Sequence, residues 1–468
     1  MLASATGFKL AHAFGGGMVL QREHPIPVWG EAETGTLVTV SFAGQKKTAE
    51  ADTKGEWKLT LDPLPASSEG RTFVVSGGDE VLELKDVLVG EVWVCSGQSN
   101  MEMGIRKVEK GREEISKGNY PLIRLRYLRR FTADTRQTQI RGSEWTACSP
   151  ESLQRGPWGG FTAVGFYFGL ALHNELKVPV GIIQSAWGGT RIEPWTATEA
   201  FLKVRGLEKY AEQAKRASKA GKPSALYNAM IHPLIPYAIR GAIWYQGEAN
   251  MGDTDYTEKM HALVQGWRTA WGQGDFPFYY VQLAPFIYKK NPETLAELWE
   301  QQTAALAIPN TGMAIINDIG NIRDIHPANK HDVGARLARL ALSRTYGVKF
   351  TDDSGPIFKT ARVDGGKVIV EFNYAASGLA SRDGNPLTHF KVAGADGVFH
   401  DAQATIVGNT VEVLSPEVSD ARQVRFAWRE DAGPNLVNGE KLPASAFRWT
   451  APVPEPVALP PSAPTETK

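Results

Sequence analysis

Between Gly90 and Gly347 the chain carries six short apolar runs that barely alternate, at 91–95, 122–127, 180–184, 241–245, 278–283 and 313–317. A strand with no polar face has to be covered on both sides, as in a parallel sheet sandwiched between helices. Helical periodicity fills the gaps, at 164–176, 256–271 and 332–346, with Asp332 as a plausible N-cap and Gly347 as a plausible stop. Strands alternating with helices predict a doubly wound α/β unit over residues 89–347.

The flanks read differently. Leu37-Val38-Thr39-Val40-Ser41-Phe42 and Trp57-Lys58-Leu59-Thr60-Leu61 alternate with period two, so residues 8–88 are expected to form an N-terminal β domain. Val368-Ile369-Val370-Glu371-Phe372 and Thr410-Val411-Glu412-Val413-Leu414 predict a second, C-terminal β domain over 348–450. The two β regions pack either separately or as one unit. Residues 451–468 hold six of the 28 prolines and are expected to be a disordered tail or linker. At roughly 150 residues per domain, 468 residues suit about three such units.

Composition excludes several functions. Lys plus Arg is 51 and Asp plus Glu is 51, and a zero balance argues against nucleic acid or an anionic membrane as a partner found by bulk charge. No apolar run approaches the 18 or so residues of a membrane span. Two cysteines are too few for a disulfide scaffold or a cysteine zinc site, leaving one bridge or two thiols. Cys95, inside an apolar run, reads as a buried thiol. Leu2-Ala3-Ser4-Ala5 looks like the end of a trimmed signal peptide, so the protein is expected to be exported, periplasmic or extracellular. Oligomeric state is not legible.

In open α/β sheets, sites form at the carboxyl ends of the strands. The first exit reads Gly97-Gln98-Ser99-Asn100-Met101, where a serine at a tight turn can present its hydroxyl and its own N–H. The spacing is not that of the Gly-x-Ser-x-Gly elbow, and a lone Gly-x-Ser equally suits a turn. The exit at Ser185 leads into Trp187-Gly188-Gly189-Thr190-Arg191, and that at Tyr245 into Gln246-Gly247-Glu248-Ala249-Asn250. These suit donor or positioning roles, or simple turns and helix capping. The last exit reads Asn317-Asp318-Ile319-Gly320, followed by Asp324-Ile325-His326-Pro327. Of the 9 histidines, His326 alone follows a predicted α/β strand exit with aspartates close by, as a general base requires. His331 and His232 are the decoys.

The block Gly90-Glu91-Val92-Trp93-Val94-Cys95-Ser96-Gly97-Gln98-Ser99-Asn100-Met101-Glu102-Met103 resembles the nucleophile block of the sialate O-acetylesterase family, a branch of the SGNH-type hydrolases. The resemblance extends to Met18-Val19-Leu20-Gln21-Arg22, Ser185-Ala186-Trp187-Gly188-Gly189-Thr190, Trp244-Tyr245-Gln246-Gly247-Glu248-Ala249-Asn250, Asp324-Ile325-His326-Pro327 and Leu442-Pro443-Ala444-Ser445. It implies a flavodoxin-like three-layer α/β/α catalytic domain with a parallel sheet, flanked by β-sandwich-like regions. It also implies a serine esterase that removes O-acetyl groups from carbohydrates through an acyl-enzyme.

Carried over by motif, Ser99 resembles the nucleophile and His326 the base. The oxyanion donors implied are the Ser99 N–H, Gly188 or Gly189, and a side chain from the Gln246–Asn250 block, Gln246 before Asn250. The chain departs from the wider SGNH pattern where Arg323 stands three residues before the histidine. Asp324 is then the preferred orienting acid, Asp318 the reserve, and a Ser-His dyad held by a backbone carbonyl the third possibility. Trp187, Trp195, Tyr245 and Glu248 are candidates for the sugar site, and Arg191 for a sialate carboxylate or for an ion pair with Glu193. The 13 tryptophans suit sugar stacking as well as core packing. No cofactor or metal is expected, since His, Asp and Cys show no ligand spacing. The substrate is an acetylated carbohydrate, either sialic acid or a xylan- or xyloglucan-type polysaccharide. A non-enzymatic carbohydrate-binding protein is the reading from another class, and the pairing of Ser99 with His326 argues against it.

Overall fold

A computed structural model of the protein describes residues 7–216, 221–288 and 291–452. The Leu2-Ala3-Ser4-Ala5 segment lies outside the described residues, as does the proline-rich tail from residue 453.

The central element is β1 (Glu80–Gly97), a continuous strand of 18 residues. Its first half is mostly exposed and pairs antiparallel with Ser67–Gly77, while from Val87 onward every residue is buried. The boundary expected between residues 88 and 89 therefore falls inside one strand. The change from an exposed to a fully buried pattern looks like a domain junction in sequence, although one strand runs through it and only its partners change.

Around β1 lie β2 (Tyr120–Tyr127), β3 (Thr146–Cys148), β4 (Val180–Ala186), β5 (Gly241–Tyr245), β6 (Phe278–Val281) and β7 (Thr311–Ala314). Their order is β3-β2-β4-β1-β5-β6-β7, all parallel except β3. From β1 the chain goes to β2 and β3 on one side, returns to β4 beside β1, and then builds β5, β6 and β7 on the other side, so the end of β1 is the topological switch point, where such sheets place their ligands. Register aligns Gly97 with both Ala186 and Tyr245, so three successive exits open at one level of one edge.

Helices cover both faces. Trp93 meets Phe168 of α1 (Ala163–Leu176) edge-on at 5.0 Å. Trp93 is in register with Gly241, so Trp244, three residues on, points to the opposite face. There it meets Trp267 of α2 (Tyr256–Trp271) edge-on at 6.2 Å. α3 (Thr294–Ala304) follows, an element the periodicity did not reveal. The last helix, α4 (His331–Arg344), begins one residue earlier than expected. Its first turn is capped by Asn329, whose Oδ1 accepts the Asp332 N–H at 3.1 Å, so Asp332 lies inside the helix. Gly347 takes the left-handed conformation (φ +71°) that ends it.

The N-terminal strands alternate as expected, with Val38, Val40, Trp57, Leu59 and Phe73 turned inward. The C-terminal region has two four-stranded sheets, and Phe447 of one meets Phe358 and Phe372 of the other at 4.8 and 5.7 Å. It is tied to the α/β unit through Leu442-Pro443-Ala444-Ser445: Asn317 donates to the Ala444 carbonyl at 2.8 Å, and Gln282 to Ser445 at 2.8 Å. Cys95 and Cys148 are both free and buried, and burial pushes both thiols up, Cys148 to about 12.

Candidate active site

The turn that presents Ser99 depends on one glycine. Gly97 has φ +136°, and a Cβ there would lie 2.2 Å from the Tyr245 carbonyl. The close approach lets the Gln98 N–H bond that same carbonyl at 2.9 Å. The chain then enters a single helical turn, Ser99–Glu102, with Ser99 first and partly exposed. An amide at that position has no acceptor within its own helix.

His326 arrives from the loop after β7, and its Nε2 stands 2.9 Å from Ser99 Oγ. Trp158 packs edge-on against its ring at 4.7 Å. Burial, and after it the Lys330 ammonium, pull the imidazole below its ordinary value, while Asp324 acts the other way. Asp324 itself is exposed and accepts the main-chain N–H of His326 at 2.9 Å. It therefore orients the loop, and among the described residues no carboxylate is hydrogen-bonded to the imidazole. Asp318, the reserve acid, is tied to Arg336 by contacts of 2.6 and 2.7 Å.

Ser99 and His326 share a cleft of about 530 Å³ with Gln98, Glu102, Arg130, Gly188, Gly189 and Glu248, within the range of ordinary small-molecule sites. Several expected donors and contacts are not free. The Gly188 N–H is given to Glu102 Oε2 at 2.9 Å. Gln246 is fully buried, and its Nε2 is spent on Asn250 Oδ1 (2.7 Å), Gln98 Oε1 (3.2 Å) and the Thr190 carbonyl (3.2 Å). Asn250 is also fully buried. Its Oδ1 accepts the Ile192 N–H and its Nδ2 donates to Asp253 and Glu193. Both side chains brace the loops from below, because polar atoms this deep need internal partners. Gly189, exposed with φ +74°, remains as an amide on the cleft wall.

The aromatic candidates are corrected in the same way. Trp195 and Tyr245 are both 0% exposed, so neither offers a face to a sugar. Trp187 is half-buried against the core and outside the cleft lining. Arg191 is held by Glu193, Asp253 and the Ala249 carbonyl, so the ion-pair alternative describes it. Glu248 lines the cleft, and burial raises its carboxyl above the usual range.

Trp158, Glu102 and Arg130 were missed. Glu102 is 1% exposed and takes a two-pronged contact from Arg130, at 2.6 and 2.7 Å. The signal for Arg130 was the exit of β2, a strand end of the same kind as those that pointed to the other loops.

Comparison with known proteins gives this geometry its relatives. The family described as carbohydrate esterase, sialic acid-specific acetylesterase, matches residues 89–343. The human sialate O-acetylesterase is 31% identical over 410 residues, covering 80% of this chain and 77% of its own. The mouse sialate O-acetylesterase is 28% identical over 439 residues, covering 80% of each. The crystal structure of a carbohydrate acetylesterase from Xanthomonas citri superposes with a TM-score of 0.87 at 38% identity, covering 95% of this chain and 99% of that one. A sheet whose switch point carries a serine beside a histidine, and relatives that match along most of the chain, lead to one assignment: the chain belongs to the sialic acid-specific acetylesterase family of carbohydrate esterases and is a carboxylic ester hydrolase.

Proposed function

We propose that the protein removes O-acetyl groups from carbohydrates with Ser99 as nucleophile and His326 as general base. The observation that carries this is the 2.9 Å contact from His326 Nε2 to Ser99 Oγ at the mouth of an open cleft. His326 takes the serine proton as Oγ attacks the acetyl carbonyl. The Ser99 and Gly189 amides are the donors for the developing oxyanion, each worth on the order of 2.7–4 kcal/mol of barrier. His326 then protonates the departing sugar oxygen, and water repeats the cycle to release acetate. Asp324 holds the base through its backbone, so the arrangement works as a dyad. Ser99→Ala is the test: acetate release falling by several orders of magnitude supports the mechanism, and release at the wild-type rate overturns it.

Family membership favours sialate esters, while the cleft favours a neutral sugar. Its lining guanidinium, Arg130, is committed to Glu102, and Arg191 is committed elsewhere. Acetate release from acetylated sialic acid and acetylated xylo-oligosaccharides, measured side by side, separates these, a preference above tenfold deciding between them. Export rests on Ala3-Ser4-Ala5 and is tested by amino-terminal sequencing of the natively produced protein.

A further inference from the structure

Directly behind Ser99, the Asn100 side chain is 1% exposed and joins three loops. Its Nδ2 donates to the Ile325 carbonyl at 2.9 Å and to Glu248 Oε1 at 2.5 Å, and its Oδ1 accepts from Lys330 Nζ at 2.6 Å. Ile325 is the residue before His326, so this one amide connects the nucleophile turn to the backbone that carries the base. Lys330 is 0% exposed, at the start of α4, with its Nζ 5.2 Å from the centre of the Tyr245 ring. Glu248 Oε2 is shut away from solvent with no partner among the described residues. An ammonium only donates and a carbonyl only accepts, so the two ends of Asn100 cannot exchange places. Its orientation is therefore set by Lys330 on one side and by Ile325 and Glu248 on the other.

We propose that Asn100 is a positioning residue for His326, holding the Ile325–His326 backbone so that Nε2 meets Ser99 Oγ, and that Lys330 is the group that fixes Asn100 in that orientation. The arrangement also places a cation behind the base. The groups facing His326 are Asp324 on its own loop, Lys330 at the head of α4, Ser99 on the nucleophile turn and Trp158 from the loop before α1. Burial pushes Lys330 down to about 7, against the pull of Glu248 and Asp324.

The proposal rests on the serine reading, and the two fail differently. If Ser99→Ala is inactive but the Asn100 variants keep wild-type kcat, only the positioning role falls. The test uses the full chain with four variants. Asn100→Asp puts an acceptor against the Ile325 carbonyl, and Asn100→Leu removes every bond. Each is expected to lower kcat by about 10- to 100-fold with KM within about threefold, the scale of a misplacement near 1 Å. Lys330→Met is expected to lower kcat similarly. Lys330→Gln, which keeps a donor for Asn100, is expected to recover most of that loss. The acidic limb of kcat/KM should move to higher pH in both Lys330 variants, because removing a cation makes His326 easier to protonate. Variants that lose thermal stability while the folded enzyme keeps wild-type kcat and an unmoved pH profile would overturn the proposal, and so would equal kcat in Lys330→Met and Lys330→Gln.

Discussion

Glu102 Oε2 accepts the N–H of Gly188 at 2.9 Å, across 86 positions of sequence. Gly188 lies hard against Ser99: a Cβ there would come within 3.2 Å of Ser99 Cβ. The carboxylate thus holds the wall of the cleft at a set distance from the serine, while Arg130 compensates its charge.

Removing that carboxylate is expected to loosen the wall. Glu102→Ala leaves the Gly188 amide and the Arg130 guanidinium without their partner. Because Arg130 is 42% exposed and can turn to water, the stability loss should be about 1–3 kcal/mol. kcat/KM should fall about 10- to 100-fold, while Glu102→Gln, which keeps an acceptor, should regain most of the stability. Urea unfolding and steady-state kinetics measure both. A rise in kcat for Glu102→Ala would mean that the freed Gly188 amide serves the oxyanion better than it serves the wall.

The pH profile should carry the mark of His326. Its pKa is lowered, first by burial and then by Lys330. A base must be unprotonated to work, so kcat/KM should rise with pH through a midpoint below the ordinary 6.5. The same depression costs stability in acid: between the unfolded and folded pKa values the unfolded chain binds more protons, so stability falls as pH drops through that window. Trp158→Ala admits water to the ring and should bring the midpoint back toward 6.5. A midpoint at or above 6.5 in the wild type counts against the buried base.

Arg191, 41% exposed, is held by an ion-pair network and should not read substrate charge. Lys259, with its side chain 1% exposed, pairs with Glu193, Asp253 and Asp255, and Arg191 shares the first two. Arg191→Met should lower kcat/KM by the same factor on acetylated sialate and on a neutral acetylated sugar. Lys259→Met removes the buried cation while Arg191 still pairs with Glu193 and Asp253, and should cost about 1–3 kcal/mol in denaturant unfolding. A selective loss on sialate in Arg191→Met would restore its role as a carboxylate reader.

Gly97→Ala combines a left-handed φ with a direct clash on the Tyr245 carbonyl. It should lower stability by about 2–5 kcal/mol. By shifting the Ser99 turn it should also lower kcat by about 100-fold. Thermal unfolding and acetate release at a temperature where the variant stays folded separate the two effects.

The apolar runs at 91–95, 180–184 and 241–245 decide by themselves that these segments are strands covered on both faces, because burial removes the polar alternation an exposed face would need. That local rule also made the strand exits legible, and with them Ser99 and His326 as candidates. It reached the wrong donors at Gln246 and Asn250, because sequence says which residues leave a strand but not which of their atoms are spent beneath the loops. Partners that spend those atoms, Gln98, Thr190 and Glu193, come from other loops. It also placed a boundary inside β1, since a strand can change neighbours and exposure without a break in its backbone. Glu102 with Arg130, and Asn100 with Lys330, became visible only in three dimensions: each pair joins residues 28 and 230 positions apart. Periodicity reports on neighbours a few residues away, whereas charge and hydrogen-bond partners are set by which loops the sheet order brings to one edge.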